Sequence, residues 1–311
     1  MTKSSTRPKK RRPVQAPQRR KPPRERPPLL LIVLAALGII GFVVAIALLR
    51  TSSRAQESTS AGLPQTSDYH SLLVAPDDTQ RLLLGTHQGL FASNDGGRTW
   101  DATALSGQDA MNLARPSGRR RTIWAAGHNV LAKSTNGGKR WDDVRPAGLP
   151  SLDVHGFAAD PRDPDVLLAA IAGQGLFRSA NGGDSYSLVS TEVGPAVMAL
   201  AVFRDGRVLA GDMQQGLMAS EDGGKTWRRQ LAEGVMGLAI NPSDPRRVLA
   251  TGPGILLSQN GGRTWRKTLE LADGAGPVAW SRSEPKIAYV VGFDRTLYRT
   301  SDGGSTWSAV Q

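Results

Sequence analysis

Residues 93–100 read SNDGGRTW, and the pattern returns five times: STNGGKRW (134–141), SANGGDSY (179–186), SEDGGKTW (220–227), SQNGGRTW (258–265) and TSDGGSTW (300–307). The closing aromatics, at 100, 141, 186, 227, 265 and 307, stand 41, 45, 41, 38 and 42 residues apart. Around each motif lie short apolar runs separated by turn residues, as in HSLLVAP, RLLLGTH, GLFASN and RTWDATAL of the first unit. Four strands of about five residues in about 40–45 residues make one propeller blade. The expected fold is all-β: a six-bladed β-propeller of four-stranded blades over residues 70–311, with one transmembrane helix before it.

The chemistry of the motif fits a hairpin between the third and fourth strands of a blade. Two glycines supply positive φ. The acidic position accepts hydrogen bonds from the turn's own N–H groups, and the Ser or Thr hydroxyl braces the same loop. That position holds Asp95, Asp222 and Asp302, but Asn136, Asn181 and Asn260 in the other three repeats. An amide accepts a hydrogen bond but neither exchanges protons at neutral pH nor neutralises a cation. The motif therefore requires an acceptor, and its role is structural. Trp100, Trp141, Trp227, Trp265 and Trp307 are expected to bury their rings between blades.

The six motifs resemble the Asp-box, or BNR, repeat S-x-D-x-G-x-T-W, over residues 70–309. That repeat recurs in sialidases, sortilin-type receptors, two-propeller xyloglucanases and photosystem II assembly factors. The resemblance implies the propeller but mixes enzymes with binding proteins, and a fold does not by itself fix an activity. It also implies that the Asp-box turns lie on the face opposite the binding face.

The charge is uneven along the chain. The formal net charge is +12, and residues 1–28 contribute eleven Lys or Arg and one Glu, hence +10, leaving +2 for the rest. This proline-rich segment reads as a disordered basic tail. Residues 29–49, LLLIVLAALGIIGFVVAIALL, contain no charge. A helix of that length spans about 30 Å, the hydrocarbon thickness of a bilayer. The basic flank places the N-terminus in the cytoplasm and the propeller outside. A cleaved signal peptide ending at Ser53-Arg54-Ala55 is the rival reading, although the apolar run is longer than a signal core. Residues 50–69 read as a linker. The absence of cysteine excludes disulfides, thiol nucleophiles and Cys-bound zinc. With its charge in the tail, the propeller lacks the basic stripe of a nucleic-acid binder.

The binding face is expected from the turns between strands two and three and from the blade-to-blade connections. Aligned repeats put His87, His128, Gly173, Gln214, Gly252 and Asp294 at one position, followed by Gln88, Asn129, Gln174, Gln215, Pro253 and Arg295. His70 and His155 each stand six residues before a proline, Pro76 and Pro161, at the start of an innermost strand. These four are all the histidines of the chain, and all are expected near one channel mouth. Imidazole ligates zinc, copper and nickel, so a metal site is one reading. Bonding to loop backbone is the other, since blades one and three are not neighbours. No cofactor motif is present, and none is expected.

Two functions compete. A glycosidase needs a carboxylate pair, and Asp109, Glu192, Glu233, Asp273 and Asp294 lie in or near loops that reach the binding face. The resemblance to sialidases would require an F/Y-R-I-P motif and a tyrosine with a glutamate partner. The motif is absent, and Tyr69, Tyr186, Tyr289 and Tyr298 show no such partner in the sequence. The favoured expectation is a membrane-anchored scaffold for a protein or glycan, with a polar docking surface or a solvated hairpin at Arg119, Arg120 and Arg121.

Overall fold

The computed structural model describes residues 60–311. The expected tail, membrane helix and first part of the linker lie outside these residues. Among the described residues no helix is long and apolar enough to cross a membrane.

Six antiparallel sheets, each a meander in chain order, form the blades. They cover residues 71–104, 112–143, 154–190, 197–231, 237–270 and 275–309. The first strand of each sheet packs against the first strand of the next, and Ser71–Ala75 meets Ala275–Trp280 to close the ring. These six strands line the central channel.

The second strands explain the stability of the array. Ile123–Gly127, Leu167–Ile171, Val208–Asp212, Val248–Thr251 and Ala288–Gly292 are buried at every residue. A short, continuous apolar run of this kind suits a strand covered on both faces, here by two neighbouring blades. Outermost strands such as Arg228–Leu231 and Arg266–Glu270 carry exposed charge instead. Charged edges oppose pairing with another chain.

Each of the six motifs turns through two consecutive glycines with positive φ, Gly96 at 75° and Gly97 at 93° in the first. Ser93 Oγ donates to Asp95 Oδ1 at 2.8 Å and accepts from the Gly97 N–H at 2.8 Å. Asp95 Oδ1 also accepts from the Arg98 and Thr99 N–H groups, and Oδ2 accepts from the Thr99 hydroxyl at 2.6 Å. In two of the three asparagine turns the last bond reverses: Asn181 Nδ2 donates to Ser185 Oγ at 2.9 Å, and Asn260 Nδ2 to Thr264 Oγ1 at 2.7 Å, whereas Asn136 faces Arg140, which has no hydroxyl. The aromatics close the turns. Indole N–H groups donate to the second glycine's carbonyl from Trp100, Trp141, Trp227 and Trp265, whereas Trp307 donates to Thr268 Oγ1. Trp100 is buried where blades 1 and 6 meet, and Trp227, Trp265 and Trp307 pack on the clusters joining blades 3–4, 4–5 and 5–6. Only Trp100 among these five rings is fully buried; Trp141, Trp227, Trp265 and Trp307 are half-buried.

Within the linker expected over 50–69, the described residues 60–69 are fixed to the propeller. Ser60–Ala61 pairs with Trp100 and Thr99, adding a fifth strand to blade 1. Leu63 and Tyr69 enter the cluster between blades 1 and 6, and Tyr69 Oη donates to the Pro64 carbonyl at 2.7 Å. The Ser, Thr and Gln content suggested a spacer, but these two apolar side chains and the open edge of blade 1 hold the segment down.

Candidate functional site

In an antiparallel meander the turns between strands one and two share a face with those between strands three and four. The glycine turns therefore lie at one end of the blades. The turns carrying His87 and His128, together with the blade connections, lie at the other.

At this second end the structure gathers all four histidines, from blades 1, 2 and 3. His70 stacks on His87 with ring centroids 4.3 Å apart. His87 and His128 follow at 6.0 Å, then His128 and His155 at 5.0 Å, edge to face. Carboxylates alternate with the rings. Asp68 Oδ2 lies 3.1 Å from His87 Nδ1. Asp109 Oδ2 lies 3.4 Å from His87 Nε2 and also accepts from His128 Nδ1. Asp153 Oδ1 lies 3.2 Å from His155 Nε2 and 3.5 Å from His128 Nε2. The rings thus meet carboxylates and one another rather than loop backbone. Three groups bring donor atoms within 4.8 Å of one another and are able to hold a metal ion: Asp68–His70–His87, His87–Asp109–His128 and His128–Asp153–His155.

The backbone sets this geometry. His128 and Asp153 form an isolated antiparallel bridge between the blade 2 turn and the connection to blade 3. His155 falls at a register shift between Val154 and Gly156 in the innermost strand of blade 3. Such a bulge re-aims a side chain that regular pleating would direct elsewhere. Both ring nitrogens of His70 are buried without a hydrogen-bond partner. Burial, with the neighbouring His87 next in size, lowers its pKa to about 4 against the opposing pull of Asp109 and Asp68. His70 is therefore a neutral imidazole at physiological pH.

A cavity of about 450 Å³ beside the cluster is lined by His87, Gln108, Asp109, His128, Asp143 and Arg145, among others. The opposite mouth of the channel is cationic. Arg115, Arg204 and Arg282 line a depression of about 280 Å³ there. Burial, then the charge of Arg282, lowers Arg115 to about 10.

The other expected site residues do not join the histidines. Gln88, Gln174 and Gln214 are exposed around the ring. Asp294 accepts from Tyr298 Oη at 2.6 Å and from the Thr296 N–H at 3.0 Å. Arg295, at φ 65°, reaches Gln65 Oε1 and the Thr66 carbonyl, clasping the N-terminal segment. Glu192, Glu233 and Asp273 are exposed on separate blades. Arg119 Nη2 bonds Asp165 Oδ1 at 2.6 Å on the glycine-turn face and ties blade 2 to blade 3. No tyrosine hydroxyl donates to a glutamate: Tyr69 and Tyr289 reach carbonyls, Tyr298 reaches Asp294, and that of Tyr186 is buried without a partner.

Of the three carboxylates that meet the histidines, only Asp109 was among those named from the sequence; Asp68 and Asp153 were not. Their signal was present: DYH (68–70) and DVH (153–155) each set an aspartate two residues before a histidine.

No protein-family model matches the chain, and no curated protein does. Its fold is shared with solved structures. A GH74 xyloglucanase from Xanthomonas campestris superposes with TM-score 0.58 at 19% identity, over 82% of this chain and 46% of the enzyme. YCF48 bound to D1 peptide gives TM-score 0.52 at 18% identity, over 80% and 83%. U3-55K gives 0.56 at 10% identity, over 81% and 83%. The chain spans about half the length of the xyloglucanase. At these identities the likeness shows the propeller fold alone, and the count of six blades comes from the chain's own sheets.

Proposed function

We propose that the protein is an Asp-box propeller anchored by residues 29–49, which presents its histidine-bearing face outside the cytoplasm as a scaffold for a protein or glycan partner. The observation that carries the binding reading is the occupation of the rim carboxylates. Asp68, Asp109 and Asp153 each lie against imidazole rather than standing as a free pair across a cleft. A glycosidase needs one carboxyl to protonate the leaving group and another to act as nucleophile or base. YCF48 with its D1 peptide illustrates a propeller that takes a peptide. The 21 uncharged residues after a +10 segment support the anchor.

The test is a panel of fluorogenic glycosides, sialosides and xyloglucan fragments offered to the purified full chain, with photocrosslinkers at Gln88 or, as a control on the other face, Arg140. No turnover, and crosslinks to one membrane or envelope component from Gln88 alone, are expected. Turnover abolished by Asp109→Asn or Asp153→Asn would establish the alternative, an exported glycoside hydrolase favoured by the xyloglucanase fold. Extraction of the full chain from membranes by alkaline carbonate would refute the anchor.

A further inference from the structure

Three of the rim's polar atoms have a spacing that hydrogen bonding alone does not require. His128 Nε2 and His155 Nε2 lie 3.1 Å apart, and Asp153 Oδ1 lies 3.5 and 3.2 Å from them. A tetrahedral ion with bonds of about 2.0–2.1 Å holds its ligand atoms about 3.3 Å apart. The three atoms therefore mark one face of a tetrahedron of that size. Two imidazoles and one carboxylate select a borderline transition metal over calcium or magnesium, which take oxygen ligands.

Neighbouring groups prepare the ligands. Asp109 Oδ2 accepts from His128 Nδ1, which puts the ring proton on Nδ1 and leaves the Nε2 lone pair for the site. Backbone bonds hold the three residues in place. The Asn129 N–H donates to the Leu152 carbonyl at 3.0 Å, and the Ala172 N–H to the Asp153 carbonyl at 3.0 Å. Asn112 Nδ2 donates to the His155 carbonyl at 2.8 Å. Asp153 Oδ1 has no hydrogen-bond partner within the protein.

We infer that His128, His155 and Asp153 bind one divalent transition metal ion of the zinc or copper class, with Asp109 positioning His128. This site is independent of whether the propeller is a scaffold or a hydrolase. The His128 side chain is 46% exposed and that of Asp153 44%, and His128 also lines the adjoining cavity, which leaves room for a fourth ligand. Three protein ligands with an open position suit an ion that takes a further ligand, such as water or a partner's side chain.

The experiment strips the purified full chain with chelator and titrates it with Zn²⁺ by calorimetry, with Ca²⁺ and Mg²⁺ as controls. Zinc should bind at one site with Kd below about 1 μM, and His155→Ala and Asp153→Asn should weaken it about a hundredfold or more. Asp109→Asn should weaken it about 10–100-fold, as expected of an outer-shell carboxylate. The copper-loaded wild-type chain gives a readout that no variant's folding affects: its EPR spectrum should show hyperfine structure from two imidazole nitrogens. Kd above about 100 μM, equal calcium binding, or a copper spectrum without nitrogen coupling would overturn the proposal. So would binding that survives His155→Ala in a chain of native circular dichroism and is lost with His87→Ala.

Discussion

The Tyr289 hydroxyl in blade 6 donates to the carbonyl of Thr79 in blade 1 at 3.0 Å, across 210 residues of sequence. Blade 6 takes all four of its strands from residues 275–309, so no shared strand closes the ring. Closure rests on side chains: Tyr289, Val291 and Leu297 packed with Leu72, Leu82, Leu84 and Trp100, and Thr79 donating to Glu284.

Tyr289→Phe should therefore cost about 1 kcal/mol, the net value of one buried hydrogen bond. Tyr289→Ala should cost about 3–5 kcal/mol by leaving a cavity. Urea unfolding of the two variants measures both, and equal midpoints would refute this account of closure.

The glycine turns predict an acid dependence. At Asp95 burial opposes ionisation, but bonds from Thr99, Ser93 and Arg98 outweigh it and hold the pKa at about 2. Bonds from Thr226 hold Asp222 well below the usual range, and Asp302 is held there by Thr306, Thr300 and Ser305 against the opposing effect of burial. A depressed carboxylate stabilises the fold above its unfolded pKa, and that stability is lost as pH falls from about 4 toward 2 and below. Replacing all three by Asn should keep stability at pH 7 and flatten the fall in melting temperature below pH 4. Asp95→Ala should lower the melting temperature already at pH 7.

His70 acts in a higher window. Its pKa of about 4 lies below the ordinary 6.5. Between those values the unfolded chain binds a proton that the folded chain refuses, so stability rises with pH from about 4 to 6.5 and is complete above. In chelator-treated protein, His70→Gln should flatten the urea midpoint across this range, and an unchanged slope would contradict neutral burial.

Glycine positions separate strain from crowding. A Cβ at Gly183, φ 95°, would stand 2.6 Å from the Trp124 ring, whereas one at Gly137, φ 81°, meets nothing within 4 Å. Gly137→Ala should cost about 1–2 kcal/mol for the left-handed conformation. Gly183→Ala should cost clearly more, as thermal unfolding of the pair would show.

Arg295→Ala should release residues 60–69 without loosening the blades, because its guanidinium holds Gln65 and Thr66. Hydrogen exchange should quicken at Gly62 and Thr66 while the second strands stay protected. Unchanged exchange at those amides would show that Leu63 and Tyr69 suffice.

Much of the architecture was legible before folding because its determinants are local. Six Gly-Gly turns, each with an acceptor two residues before the second glycine and an aromatic three after it, specify a hairpin within eight residues. Their period then sets the number of blades. Strand length followed from runs such as GLFASN, which forms a strand over Gly89–Ser93. The segment over 60–69 was obscured by its polar composition, since its anchorage depends on an edge strand and a neighbour cluster from residues far along the chain.

The sequence by itself determined the repeat, the blade count and the face on which the turns carrying His87 and His128 emerge, because period and alternation carry that information residue by residue. Only the tertiary structure decided that His70, His87, His128 and His155 meet, with Asp68, Asp109 and Asp153 between them. That convergence depends on the curvature of three consecutive blades and on the bulge at His155, a sum of small rotations that appears only when the ring closes.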